Sequence, residues 1–364
     1  MRTLCKATLF LAATLSPMAT VEPTRAEDMI GGVPIIEKLD VNALPRGKTY
    51  HFWFKAADTN AGQSWYVPVI VNRGALEGPR LLLNAAIHGD ELNGVRVVQL
   101  ITQTVDLAKL KGTIIGVPGL NISGIMHNNR NFHLSRDGGY TNDLNRIMPG
   151  DPEKGDAANR FAGRVWSKLW GGNVDYVVDM HTQSHGTAYP MYVWADPRNE
   201  KARLLAEAIS PDVIKYDPGE KGTVETEFVR ANIPAVTFEM GRPSIWQHDM
   251  ITRGVDGVRR VMAMLEMTGP AMAATNKPLV GNETTSLNAT VGGFVEVKVA
   301  LLEKVVKGQI LAQQMNAFGD HLANYLAPHD GTVLAIGDEP TREPGSLVVR
   351  LIHWNPAEAC KQGC

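Results

Sequence analysis

Apolar positions in this chain follow two rhythms. One is a set of short, mostly apolar runs that stop abruptly at a polar residue. Arg80–Ile87 runs into His88, Tyr176–Met180 into His181, and Ala235–Phe238 into Glu239, while Gly112–Val117 is a fourth run of the same kind. Such runs predict buried strands that deliver their last side chains to one edge of a sheet. Lys48–Ala56 and Ser64–Asn72, rich in aromatic and β-branched residues, predict two more strands. The other rhythm is helical spacing, which predicts helices over Leu92–Leu110, Ala157–Trp170, Lys201–Ala208 and Asp249–Met267. Strands alternating with helices imply an α/β domain over residues 27–275. Within it, Asn121–Gly155 is full of Asn, Gly and Arg and reads as a loop much longer than a usual connection. Long loops in compact domains are often functional.

Beyond residue 275 the pattern changes. Residues 276–285 read as a linker, and 286–354 as a small all-β domain followed by a tail, 355–364. Gly292–Val299, Gly308–Gln314, Gly331–Ile336 and Ser346–Ile352 are its expected strands, separated by Gly and Pro turns. The phrases V-V-K-G-Q-I-L-A and A-P-H-D-G-T-V-L resemble the barrel-sandwich fold of biotinyl and lipoyl carrier domains. Such carriers need a lysine on the hairpin before the second phrase. Here that hairpin, Asn316–Leu326, has none, so no biotin or lipoyl group is expected, and the domain reads as structural or as a wall near the site.

Composition narrows the picture further. At 364 residues, 44% hydrophobic and 20% charged, the chain is long enough for two domains and a large core. The net charge is −2, and no basic block points to nucleic acid. Residues 1–26 have the features of a secretory signal: Arg2 and Lys6, an apolar stretch Ala7–Ala19 interrupted by Pro17, and small residues around Thr24-Arg25-Ala26. A periplasmic or secreted location is the expectation. No later run is long enough to span a membrane. Cys360 and Cys364 lie in the tail, where a small disulfide and two free thiols are both open.

The chemistry concentrates at the strand ends. In L-L-L-N-A-A-I-H-G-D-E-L-N, His88 and Glu91 leave a strand three residues apart, a spacing that lets both turn toward one zinc ion. His181, in V-V-D-M-H-T, is the third candidate ligand, with His185 as its rival. Catalytic zinc usually takes three protein ligands and keeps a fourth position open. Glu239, in T-F-E-M-G, is the candidate general base, since parallel α/β sheets gather function at the carboxyl ends of their strands. The long loop offers Asn145 and Arg146 as a clamp for a substrate carboxylate, which a guanidinium can hold through paired hydrogen bonds. Arg136, or in second place Arg130, is the candidate for stabilising an oxyanion. No G-x-S-x-G elbow points to a serine nucleophile.

Taken together, H-G-D-E, D-L-N-R, D-M-H and F-E-M-G resemble the succinylglutamate desuccinylase/aspartoacylase family, within the zinc carboxypeptidase-like group. The likeness spans most of residues 45–355. It implies a zinc carboxypeptidase-like mixed sheet flanked by helices, with a small β domain after it. It further implies one zinc ion on His88, Glu91 and His181, Glu239 as base, Asn145 and Arg146 on the substrate carboxylate, and Arg136 on the carbonyl. Asp143 is implied as the partner that orients a ligating histidine. The expected activity is hydrolysis of the amide bond of a small N-acyl amino acid. One alternative is a carboxypeptidase acting on short peptides or cell-wall stem peptides. Another is a non-catalytic zinc or amino-acid binding relic. Self-association is left open.

Overall fold

The structure, a computed structural model, describes residues 29–135, 139–270, 273–274 and 276–364. Its spine is an 11-stranded mixed sheet. At the centre, Lys111–Val117, Leu76–Ala85, Tyr176–His181 and Ala235–Met240 run parallel and side by side. Met191–Ala195 then pairs antiparallel with Ala235–Met240, and Val213–Tyr216 pairs parallel with Met191–Ala195. On the other flank, Ser64–Arg73 and Lys48–Asp58 extend the sheet as antiparallel neighbours.

The central runs are mostly apolar because both faces are covered, and alternate residues serve different faces. Leu81, Leu83, Val178, Met180, Val236 and Phe238 pack under the helices Asn93–Thr104, Glu200–Ile209 and His248–Met264. Leu82, Val177 and Ala235 pack on the opposite face, beneath Ala157–Trp170 and the helix Val224–Arg230. Asp179, His181, Thr237 and Glu239 fall in phase with this second set. The polar residues of the strand ends therefore emerge on one face only.

The expected helices and strands are present with differences of detail, and Met191–Ala195, Val213–Tyr216, Val224–Arg230 and, within the expected linker, Leu279–Gly281 are elements that the pattern does not predict. The helix after H-G-D-E stops at Thr104, and the following turn is closed by Asp106, which accepts from the Ala108 and Leu110 amides. Ala157–Trp170 changes from an α-helix to a π-helical turn at Val165. The segment 121–155 is less bare than its composition implies. It holds a short helix, Ile122–Met126, a hairpin of Phe132–Leu134 with Tyr140–Asn142, and a 3-10 turn, Leu144–Arg146.

The C-terminal residues build further antiparallel sheets. Leu347–His353 pairs with both Glu283–Asn288 and Gly331–Gly337, while Ile310–Met315 lies between Gly293–Val297 and His321–Leu326. These strands are stitched to the large sheet. Leu279–Gly281 pairs with Val213–Tyr216, and Thr187–Ala188 pairs with Gly331–Gly337. Leu334, Ala335 and Ile352 pack on Tyr189, Tyr192 and Val213, so the small unit covers part of the face that carries the polar strand ends. The tail folds back: Cys360 and Cys364 are disulfide-bonded, and Asn282 bonds the backbone at both. Among the described residues, no helix is long and apolar enough to cross a membrane.

Gly89 marks where the 121–130 segment crosses the strand end. A Cβ at Gly89 would stand 2.1 Å from the Gly124 carbonyl carbon and 2.2 Å from the Ile125 nitrogen, and its amide donates to the Arg130 carbonyl at 3.2 Å. The obstructing atoms are backbone and cannot swing aside. Gly89→Ala should therefore destabilise the protein by about 1–3 kcal/mol, the usual cost of overpacking. Denaturant unfolding checks this, and an unchanged midpoint would show that the crossing is loose.

Candidate active site

The chain leaves Leu76–Ala85 through Ala86, whose φ of 56° turns it sharply, and presents His88 and Glu91 over the sheet edge. His181 is the last residue of the neighbouring parallel strand. His88 Nδ1 lies 2.9 Å from Glu91 Oε1, and His181 Nδ1 lies 2.9 Å from Glu91 Oε2 and 3.2 Å from His88 Nδ1. All three side chains are at most 3% exposed. The outer ring nitrogens are also engaged. His88 Nε2 meets Asp143 Oδ1 at 3.2 Å, and His181 Nε2 meets Asp179 Oδ2 at 2.9 Å. Asp179 is itself buried and accepts from Asn84 Nδ2 at 2.7 Å, across the strand pair.

This arrangement fits a metal ion. A carboxylate can only accept, so each Nε2 is the donor and each neutral ring keeps a lone pair on Nδ1. Two such lone pairs and a carboxylate then face one another in a buried space, which repels unless a cation lies between them. Without a cation, a proton takes that place. Burial pulls His181 down, but Asp179 and Glu91 outweigh it and hold the ring well above the usual histidine range. Burial likewise works to raise Glu91, yet His88 and His181 hold it far below the usual carboxylate range. Metal binding would displace a proton from this set. His185, the rival ligand, is mostly exposed and pairs with Glu339 at 3.3 Å.

Glu239 stands beside His181 because the two are partners in the parallel register. Its Oε2 is buried without a hydrogen-bond partner. Burial, reinforced by the charges of Glu91 and Asp179 and opposed by His181 and Arg130, pushes its carboxyl up to about 8. A carboxyl so placed can both take and return a proton near neutrality.

The arginines divide. Arg130 donates from Nη1 to Glu91 Oε1 at 3.0 Å and to Ser184 Oγ at 3.2 Å, and from Nη2 to Asp143 Oδ2 at 3.2 Å. Asp143 thus holds both His88 and Arg130. Arg136 lies outside the described residues. Arg146 donates from Nη1 to the Asn145 carbonyl at 2.8 Å, and its Nε lies 3.3 Å from Glu220 Oε2. Asn145 Oδ1 accepts from the Val224 amide at 2.8 Å, which ties the 3-10 turn to the helix Val224–Arg230. Gly222 fits against Arg146 only as glycine: its φ is +91°, and a Cβ would lie 2.3 Å from the Arg146 carbonyl oxygen. Arg242 is held by Asp338 at 3.2 Å.

His88, Glu91, His181, Glu239, Arg130, Asn145 and Arg146 border one cavity of about 290 Å³. Three further residues belong to this site that sequence reading does not single out. Asp179 carried a signal, since D-x-H on a strand places both side chains on one face. Glu225, first turn of Val224–Arg230, and Arg350, from the C-terminal strand Leu347–His353, also border the cavity. Arg350 donates to the Tyr189 hydroxyl at 2.7 Å and to Ser286 Oγ at 2.9 Å. Neither residue lies near a motif in the chain; packing alone brings them in.

Comparison with known proteins agrees with this geometry. A family model for the succinylglutamate desuccinylase/aspartoacylase catalytic domain matches residues 77–265, just over half of the chain. The chain is 24% identical over 304 residues to the N-alpha-acetyl-L-2,4-diaminobutyric acid deacetylase of Halomonas elongata, covering 78% of this chain and 86% of that one. The product-bound structure of the ectoine utilization protein EutE (DoeB) from Ruegeria pomeroyi superposes with a TM-score of 0.75 at 20% identity, over 85% of this chain and 97% of that one. A succinylglutamate desuccinylase from Silicibacter sp. TM1040 does so with a TM-score of 0.75 at 20% identity, over 85% and 98%. The chain belongs to the succinylglutamate desuccinylase/aspartoacylase family.

The expected export is corrected. Neither the described residues, which begin at Met29, nor the matched relatives support a signal peptide over residues 1–26 or a periplasmic or secreted location. The reading rested on a basic start, an apolar run and small residues after it, and that run is short and broken by Pro17.

Asp179 yields a test of the ligand geometry. Asp179→Ala frees His181 to turn and lowers its basicity, so metal affinity should fall about 10–100-fold, the usual cost of losing an orienting partner. Competition with a chelating dye measures it. Wild-type affinity in the variant would mean that Asp179 does not set the His181 ring.

Proposed function

We propose that this protein is a zinc-dependent hydrolase that cleaves the amide bond of an N-acyl amino acid, with His88, Glu91 and His181 as the metal ligands. The family and its deacetylase relative indicate a deacylase acting on N-acyl amino acids, and the zinc-dependent mechanism goes a step beyond that. The observation that carries this step is the convergence of two Nδ1 atoms and a carboxylate beside the unpartnered Glu239 Oε2, at a cavity bordered by arginines. Two imidazoles and a carboxylate are a donor set that suits zinc.

When bound, the metal would act as a Lewis acid toward a carbonyl and a water. The residues do the rest. Glu239 takes the proton of the attacking water and passes it to the leaving amine nitrogen. Arg130, which reaches Glu91 and Asp143 from the cavity side, presents its positive charge where the carbonyl oxygen gains negative charge. Arg136 stands as the other residue for that role. Arg146, with Asn145, holds the substrate carboxylate, and Glu220 is the anion it exchanges for the substrate. Asp143 keeps His88 and Arg130 in register.

A small substrate suits the cavity better than a peptide. The C-terminal unit lies on the Tyr189 and Tyr192 face and contributes Arg350 to the wall, which leaves a space suited to one acylated amino acid. Glu239 weighs against a binding relic, since binding alone needs no buried base at that position.

The test is a panel of N-acyl amino acids and short peptides, with released amine measured. Chelation should abolish hydrolysis and zinc should restore it. Glu239→Gln should keep the metal and lower turnover by about 100-fold or more, the scale of general-base catalysis. Full activity of the metal-free protein, or a near-normal rate in the variant, would refute the mechanism.

A further inference from the structure

Glu225 has no part in the mechanism above, yet it is 5% exposed and borders the active-site cavity. Its Oε2 accepts from Thr226 Oγ1 at 3.1 Å, while Oε1 is buried without a partner. The acids around it are each matched. Asp196 is held by Arg198, Asp217 by Lys215, and Asp179 by His181 and Asn84. Of the cavity arginines, Arg130 is matched by Glu91 and Asp143 and Arg146 by Glu220, while Arg350, on the far wall, bonds the Tyr189 and Ser286 hydroxyls. Of the acids bordering the cavity, Glu225 and Glu239 each keep a buried oxygen without a partner, and Glu239 is already assigned to proton transfer. Behind Glu225 lies an outer cleft bordered by Asp196 and Arg198. Glu225 borders that cleft as well, but there the basic Arg198, Lys201 and Arg230 stand against the acids Asp196 and Glu200, so the active-site cavity is the more favourable approach for a cation.

We infer that Glu225 is a specificity-determining residue that receives a primary ammonium group on the side chain of the substrate's amino acid. This rests on the proposed N-acyl amino acid hydrolysis and names the substrate class within it. The physical reason is the cost of an unmatched polar atom. A buried carboxyl oxygen with no partner is unfavourable, and a substrate ammonium removes that penalty while gaining a charge-assisted hydrogen bond. A substrate with a methyl group in that place leaves the oxygen unmatched, and discrimination of this kind is large for sites built to bond a polar group.

The state of the free site agrees. Burial, with the charges of Asp217, Asp196 and Asp179 adding to it, pushes Glu225 up to about 8, and the Thr226 hydroxyl opposes this. At neutral pH the free site therefore holds a carboxylic acid. An entering ammonium favours the carboxylate, so the proton leaves Glu225 for solvent and the ammonium keeps its own. Binding of the cation thus releases one proton, and it strengthens as pH rises toward 8.

The test compares Nα-acetyl amino acids that end in a primary ammonium after two to four methylenes with their methyl isosteres. At one chain length, wild type should prefer the ammonium by about 10-fold or more in kcat/KM, the scale of one charge-assisted hydrogen bond. Glu225→Gln should reduce that ratio toward one, and Glu225→Leu should invert it. Calorimetry of the free diamino acids, run in two buffers of different ionisation enthalpy, reads the proton release without catalysis. It should be present in wild type and absent in Glu225→Gln. Equal use of ammonium and methyl substrates by wild type, or an unchanged ratio in the variants, overturns the inference. If no N-acyl amino acid is hydrolysed but a diamino acid binds with Glu225-dependent proton release, the proposed reaction fails and this inference stands. If none binds, the inference fails.

Discussion

Three electron-pair donors held about 3 Å apart, all on buried side chains, form the constraint on which the rest of this structure depends. Left to themselves, the His88 and His181 rings would rotate their Nδ1 atoms away from each other and from Glu91. Asp143 and Asp179 prevent it by holding the opposite edge of each ring. The surrounding architecture can be read as the means of keeping those two aspartates in place. Asp179 is fixed by a strand position and by Asn84 on the adjacent strand. Asp143 is fixed by the long segment that crosses Gly89, and it caps the turn that begins at Leu144.

The pleat of the sheet decides where the chemistry faces. Alternate residues of the central strands enter two separate cores, and the polar strand ends share the phase of only one. On that face the helix Val224–Arg230 and the C-terminal sheets leave a gap between them. The cavity is this gap, which is why residues as distant in sequence as Arg130, Glu225 and Arg350 border it. Its charge is divided: Arg130 stands beside His88, Glu91 and His181, and Glu225, with an unpartnered oxygen, stands under the helix. A substrate with one anionic and one cationic group fits such a division better than a neutral one.

Much of this was legible in the sequence because it is local. A buried strand that ends in His88, His181 or Glu239 announces both its position and its edge, and parallel neighbours then bring the ends together. Asp143, Asn145 and Arg146 were legible through the family likeness of D-L-N-R; Asn145 and Arg146 border the cavity, and Asp143 holds His88. Glu225 and Arg350 were not legible, because nothing in their neighbours along the chain marks them; helix packing and sheet stitching bring them in. The Asn121–Gly155 segment was read as loop because its helix, hairpin and turn are each too short to show a period. The export reading failed for the opposite reason: a short apolar start is common and carries little information by itself.

The most direct measurement of the central claim is X-ray absorption at the zinc edge of the purified, zinc-loaded protein. The account predicts a first shell of two imidazole nitrogens and carboxylate or water oxygen at about 2.0–2.2 Å, with no sulfur. His88→Ala and His181→Ala should each remove one imidazole contribution. A shell that contains sulfur, or one made of oxygen alone and unchanged by both substitutions, would contradict it.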